Sequence, residues 1–188
     1  MTREIILDKK VVNDDWQTLR LTSTASATET EGAALSPESV AIPAGKVLVP
    51  VQVWKLQRTQ LLARLNSQHD IGVWFASDEQ AKHLGEDIAL FSVIGIDFPK
   101  FADGRGYSIA YNLRTRFGFT GQLRALGDVL RDQLFFMQRV GFNAFEVRAD
   151  KNIHDALKSL SDFSSPYQTS VDEKNPLFRR VDRNGVAA

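Results

Sequence analysis

From Lys46 onward, short apolar runs alternate with stretches of helical apolar spacing, and no other feature of this chain restricts its fold as much. Val47 to Val53 is a β-branched run, after which Leu56, Leu61, Leu62 and Leu65 recur at helical spacing. Asp70 to Ala76 is a second apolar run. Ser77 or Asp78 is a suitable N-cap, and 79–85 is the short helix expected to follow. Ala89 to Ile96 reads as a third strand, and Tyr107, Ala110, Leu113 and Phe117 form a helical stripe ending near Gly118. Gln122 to Leu126 is a fourth, short strand. Gly127 and Asp128 cap a helix whose Val129, Leu130, Leu134, Met137 and Val140 face inward before Gly141 ends it. Ala144 to Val147 is the fifth strand, and Asp150 or Asn152 starts a last helix through Ile153, Ala156, Leu157 and Leu160.

Strands alternating with helices at short spacing are βαβ units, which pair in parallel through right-handed crossovers. The chain is therefore α/β, either a partial (β/α) barrel or an open doubly wound sheet. The units run on without a visible switch point, which favours the partial barrel. Ahead of them lie weak strand candidates at Glu4 to Val12 and Trp16 to Leu21, then an irregular segment over 23–39 rich in Ser, Thr, Ala and Glu. The expected division is an N-terminal segment over 1–45, an α/β domain over 46–163, and a polar, turn-rich tail over 164–188.

A chain of 188 residues can bury about 70% of its unfolded surface in one core. Its formal net charge is zero, so there is no general electrostatic reason to bind nucleic acid or a membrane. The apolar patch Ile5 to Leu7 is too short for a secretory core or a membrane span, so a cytoplasmic location is expected. The absence of cysteine removes disulfides, thiol nucleophiles and the usual ligands of iron–sulfur clusters. The three histidines, His69, His83 and His154, lack the paired spacing of a zinc site, so no metal is expected.

Chemistry concentrates between the third strand and the stripe from Tyr107, where Asp97 to Ser108 carry two acids, two bases and two glycines. That is the carboxyl end of a buried strand, where α/β folds place ligands. Gly104-Arg105-Gly106 can hold an anion on backbone amides and a helix N-terminus, with Arg105 as a fork, or can be a tight turn needing positive φ. Ile109 stands where a dinucleotide fingerprint needs its third glycine. Lys100 between Asp97 and Asp103 reads as a salt-bridge hub more readily than as an acid–base pair. Arg124 inside a buried strand and Arg148 after another must find partners: Asp97, Asp103, Asp128 or a bound anion.

The anion-binding candidates are thus Lys100, Gly104, Arg105, Gly106, Arg124 and Arg148, with Asp97, Asp103 and Asp128 as rim carboxylates. Catalytic residues are not identifiable, and Ser108 lacks a nucleophile-elbow context. Arg114 and Arg116 read as a solvated face, and Trp16, Trp54 and Trp74 as packing residues. Phe135 and Phe136 make their helix apolar on more than one face, so it is either buried on both sides within the domain or packed against a second copy or a partner protein, the second being favoured because a peripheral crossover helix normally leaves one face wet.

The residues Asp97-Phe98-Pro99-Lys100-Phe101, Asp103-Gly104-Arg105-Gly106-Tyr107-Ser108, Leu123-Arg124-Ala125, Gly127-Asp128-Val129-Leu130, Asp132-Gln133-Leu134, Gly141-Phe142 and Ala144-Phe145 carry a specific likeness. Over roughly 47–168 the chain resembles the bacterial domain of unknown function 934 family, whose members are described as oxidoreductases involved in sulfite reduction. The resemblance implies a pathway, assimilatory sulfate reduction, and supplies no catalytic residues. Sulfite reductases proper resemble proteins that hold siroheme beside a cysteine-ligated cluster, which a chain without cysteine does not offer. The implied role is an accessory protein that docks to sulfite reductase or another enzyme of that pathway and holds a small anion at the rim. Two other readings stay open: an oxidoreductase with a non-covalently bound nicotinamide or flavin, and a ligand-free structural partner of the reductase. The cofactor is unknown on either.

Overall fold

The structure, a computed structural model, describes residues 3–21, 36–68 and 70–180. Most of the Ser/Thr-rich segment, His69 and the last eight residues lie outside the described residues. Eight strands form one sheet: β1 (Arg3–Leu7), β2 (Lys10–Asp14), β3 (Gln17–Thr18), β4 (Val47–Pro50), β5 (Ile71–Phe75), β6 (Val93–Phe98), β7 (Gln122–Gly127) and β8 (Ala144–Phe145). Their order is β2-β1-β8-β7-β6-β5-β4-β3. Strands β3 to β8 run parallel, and the β1–β2 hairpin is added antiparallel at β8.

That order forces the sheet to curl. Laid flat, eight strands would hold their outer edges about 34 Å apart. Yet β2 and β3, the two edges, are joined by only Asp15 and Trp16, a link that spans at most about 11 Å. The edges therefore approach each other around a partial barrel, the favoured of the two expected α/β architectures. Trp74, Gly95, Arg124 and Ala144 lie level in register on its inner face. Asp97, Leu126 and Glu146 follow one layer nearer the carboxyl ends.

The outer face carries the helices α1 (Val51–Leu56), α2 (Arg58–Gln68), α3 (Arg105–Thr115), α4 (Arg131–Arg139) and α5 (Ile153–Lys158), while the short α6 (Leu177–Arg180) buries no residue. Leu61, Leu65, Ile109, Leu113, Leu134 and Met137 pack on Val49, Val73, Ile94, Ile96, Leu123 and Ala125 in one buried cluster. Apart from Ala125, each such side chain contributes about 1.5–3 kcal/mol by leaving water. Inside the curl Leu48, Val93 and Leu126 pack with Trp16 and Trp74.

The structure departs from the expected elements where an apolar run outlasts its strand. Pro50 ends β4, and Val51 to Val53 turn into the buried first helix, because proline's fixed φ (−57°) suits the residue before a helix. The stretch expected as a strand from Ala89 begins instead as 3-10 turns over Gly85–Leu90, and β6 runs on to Phe98. Asp97 therefore lies in the strand itself. A short apolar run alone does not distinguish a buried turn from a strand. The helix expected over 79–85 is only a 3-10 turn at Ala81–His83. Glu4 to Val12 splits into a hairpin at Asp8 and Lys9, both with positive φ (47° and 63°).

The sheet is continuous across position 45, since β3 pairs with β4 and β1 with β8. The tail also packs back: Val171 N donates to Arg139 O at 3.1 Å, and Arg139 pairs with Asp172 at 3.4 Å. Asn152 is the N-cap of α5, its Oδ1 accepting from the amides of His154 (2.9 Å) and Asp155 (3.1 Å). Asn152→Ala is expected to cost about 1 kcal/mol, measured as a shift in the urea midpoint at constant slope. No described helix is long and apolar enough to cross a membrane.

Candidate functional site

Six parallel strands point their carboxyl ends to one side, and the loops leaving them form the rim. Ser77 follows β5, Asp103 and Arg105 follow β6, Asp128 follows β7, and Glu146 to Lys151 follow β8. Ser77, Asp103 and Arg105 close on one another. Arg105 donates from Nε and Nη2 to the two Asp103 oxygens (2.9 and 2.7 Å) and from Nη2 to Ser77 Oγ (2.9 Å), while Ser77 Oγ donates to Asp103 at 2.7 Å. The Arg105 hydrogen bonds, then that of Ser77, hold the Asp103 carboxyl far below the usual carboxylate range. A cavity of about 440 Å³ opens beside them, also lined by Lys82, Asn112 and Arg116.

This cluster changes the reading of the glycine turn. The Asp103 carboxylate itself accepts the Arg105 amide at 3.2 Å, so the head of α3 already has an anion. Gly104 sits at φ −85°, so the tight-turn reading with positive φ fails there as well. Gly106 is glycine because helix and strand meet: a Cβ would lie 2.7 Å from the Phe98 ring and 3.0 Å from Ile96 Cγ2. Lys100 is exposed, and no ion pair to it occurs among the described residues. It does not bridge Asp97 and Asp103. Asp97 turns inward to Arg20 (2.7 Å), whose guanidinium stacks 5.3 Å above the Trp74 ring.

Asp128 and Arg148 do meet at the rim. Arg148 Nη1 donates to Asp128 at 2.7 Å, and Nε and Nη2 donate to Asp150 at 2.6 and 3.1 Å. The hydrogen bond from Arg148, followed by that from Lys151, lowers the Asp150 carboxyl to about 2. Asp128 also accepts the Phe101 amide at 2.9 Å and so ties the β6 and β7 loops together.

Arg124 is not at the rim. Its side chain is 1% exposed inside the barrel and donates to both oxygens of Asp14 at 2.9 Å. None of the expected partners holds it. Arg3 closes the cluster from above, donating to Asp14 (2.5 Å), Glu146 (2.5 Å) and the Trp16 carbonyl (3.1 Å). Burial works to raise the Asp14 carboxyl, but the hydrogen bonds from Arg124 and Arg3 outweigh it and hold it below its usual value. A second cavity, about 330 Å³, lies at this mouth beside Arg3, Glu146, Arg148 and Lys151.

The structure thus places Arg105 with Asp103, and Arg148 with Asp128, beside two separate cavities, and buries Arg124 inside the barrel. Sequence reasoning missed Arg3, Asp14, Arg20 and Glu146. The one available signal was the need of a strand-buried Arg124 for a carboxylate, which did not say that the partner lies 110 residues away. Phe135 is half-buried against Phe163, just ahead of the tail (4.9 Å between ring centroids), while Phe136 stays 49% exposed. Among the described residues no group of three or more His, Asp or Glu is placed to hold a metal ion.

One protein-family model, described as "Bacterial protein of unknown function (DUF934)", matches residues 72–178, more than half of the 188. The match contains β5 from its second residue, all of β6 to β8, and both rim clusters. No curated protein and no solved structure matches the chain significantly.

Proposed function

Because the chain belongs to the family described as "Bacterial protein of unknown function (DUF934)", we propose that it is an accessory protein of assimilatory sulfate or sulfite reduction that holds a small anion at the carboxyl-end rim of its sheet. The pathway half rests on the resemblance carried by the blocks from Asp97 and Leu123. One observation supports the anion half: two guanidinium groups, Arg105 and Arg148, are pinned by carboxylates and each lines an open cavity at that rim. A fixed guanidinium loses little freedom when an anion arrives, and its fork keeps donors to spare.

Calorimetric titration of the full chain with sulfite and with sulfate tests this. Saturable binding is expected, weakened tenfold or more, about 1.4 kcal/mol, in Arg105→Ala or Arg148→Ala. If neither substitution changes affinity, or neither anion binds at millimolar concentration, the anion half fails. The pathway half fails if deleting the gene leaves growth on sulfate or sulfite as sole sulfur source unchanged and no sulfur enzyme co-purifies. A dinucleotide-using oxidoreductase has less support, since the Asp103 carboxylate occupies the helix head a pyrophosphate would need and Ile109 replaces the third glycine. A yellow purified protein would revive the flavin version.

A further inference from the structure

The crossover helices α3 and α4 flank β7, and the furrow between them is walled by two pairs of side chains, each pair one turn apart: Tyr107 and Tyr111 on α3, Phe136 on α4 and Val140 at its C-cap. The furrow measures about 360 Å³. Tyr107 rests on the buried Phe98 ring (5.3 Å between centroids) and meets Phe136 edge-on at 5.1 Å, so the core holds this wall in place although it faces water. Tyr111 is 44% exposed, and Phe136 nearly half. Neighbouring exposed aromatics mark a contact surface, and Tyr, Phe and Arg are the residues that interfaces enrich.

One charge lines the furrow. Arg116 is exposed, its guanidinium makes no hydrogen bond or ion pair among the described residues, and no lining residue is acidic. Ser108 and Asn112 precede it on the same side of α3 at four-residue spacing. Asp78 and Glu79 line the cavity on the other flank of α3, which Lys82 and Arg105 line as well. On α4, Asp132 stands one turn before Phe136, at the end away from Arg116.

Both walls are helices whose backbone groups bond internally, so the furrow offers no edge for an added strand. A helix satisfies its own backbone and needs only side-chain contacts there. We propose that the furrow docks an amphipathic helix of a partner protein, its apolar face against Tyr107, Tyr111, Phe136 and Val140 and a carboxylate at the end that meets Arg116. The four-residue spacing of the walls matches the about 6 Å between side chains one turn apart on such a helix. The Arg116 fork gives the carboxylate two parallel hydrogen bonds. The aromatic wall, already held by Phe98, loses little freedom when the partner arrives. The proposal rests on the accessory half of the reading above, whose contact surface it names, and needs nothing of the anion half.

The probe is a fluorescein-labelled synthetic amphipathic helix of about 15 residues, with leucines along one face and glutamates at one end. Its titration with the full chain is expected to saturate in the micromolar range, with amide shifts in nitrogen-15 NMR spectra concentrated at Ser108, Tyr111, Asn112 and Arg116. Arg116→Glu should weaken binding tenfold or more, and should favour instead the same helix carrying lysines at that end. Phe136→Ser and Tyr111→Ser should each weaken both helices. All three side chains are exposed, so an unchanged urea midpoint is expected to show that the fold is kept. No saturable binding, equal wild-type affinity for the two helices, or indifference to all three substitutions overturns the proposal. If sedimentation shows a wild-type dimer that Phe136→Ser dissociates, a second copy covers the furrow and the proposal falls as well. Should the helix fail to bind while gene deletion still abolishes growth on sulfate, the accessory reading stands and its contact surface lies elsewhere.

Discussion

Arg124→Met is expected to lower the unfolding free energy by about 3–5 kcal/mol, the cost of leaving a buried charge without its partner. The Asp14 side chain is 2% exposed and takes two of its hydrogen bonds from Arg124. Arg3 still donates to it, which should hold the loss toward the lower end. Against a typical total of about 5–15 kcal/mol, urea denaturation would show it clearly. Removing both charges, as Asp14→Leu with Arg124→Met, is expected to recover most of the loss, since a buried pair contributes little beyond well-packed apolar groups. A single-mutant loss under about 1 kcal/mol, the range of exposed pairs, would mean that Asp14 finds solvent in the variant.

Acid should act on the same pair. The folded Asp14 carboxyl lies below its unfolded value, so its contribution is complete above about pH 3.9 and drains away as pH falls through the folded titration. The Arg124→Met variant is expected to lose part of that acid slope. If its slope equals that of the wild type, other carboxylates carry the acid sensitivity.

This pair also marks the boundary of what the sequence could tell. The βαβ order was legible because apolar period and end signals are local. Gly118 and Gly141 close α3 and α4, and Asn152 caps α5, where the spacing predicts them. Curling was only a preference between two topologies, because strand order is set by contacts between distant segments. The β1–β2 hairpin looked peripheral for the same reason, although it supplies Arg3 and Asp14. Within the site, Asp128 and Arg148 were legible as neighbours because each leaves one of two adjacent parallel strands. Glu146 was not, since a lone carboxylate after a short strand signals nothing until the barrel closes over it. The glycine turn misled in another way. Its composition suits an anion, but Asp103 sits one residue ahead and reaches the Arg105 amide and guanidinium first.

Gly127→Ala is the second large effect, and it couples the fold to the rim. Gly127 has φ +88°, and a Cβ there would lie 2.5 Å from the Phe98 carbonyl oxygen and 2.9 Å from Asp97 Oδ1. The left-handed backbone alone costs an alanine about 1–2 kcal/mol, and crowding rigid backbone adds about 1–3 kcal/mol. A total loss of about 2–5 kcal/mol follows. Gly45 separates the two contributions, because it too has positive φ (79°) but nothing within 4 Å of its added Cβ. Gly45→Ala should therefore show the conformational cost alone. The crowded oxygen accepts the Asp128 amide at 2.7 Å, and the Asp128 carboxylate fixes Arg148. Pushing β6 and β7 apart at that point should displace Arg148 as well, so Gly127→Ala is expected to weaken anion binding while Gly45→Ala leaves it unchanged. If the two variants lose equal stability in urea, the β6–β7 junction absorbs the extra methyl, and Arg148 and its anion affinity should then stay where they are.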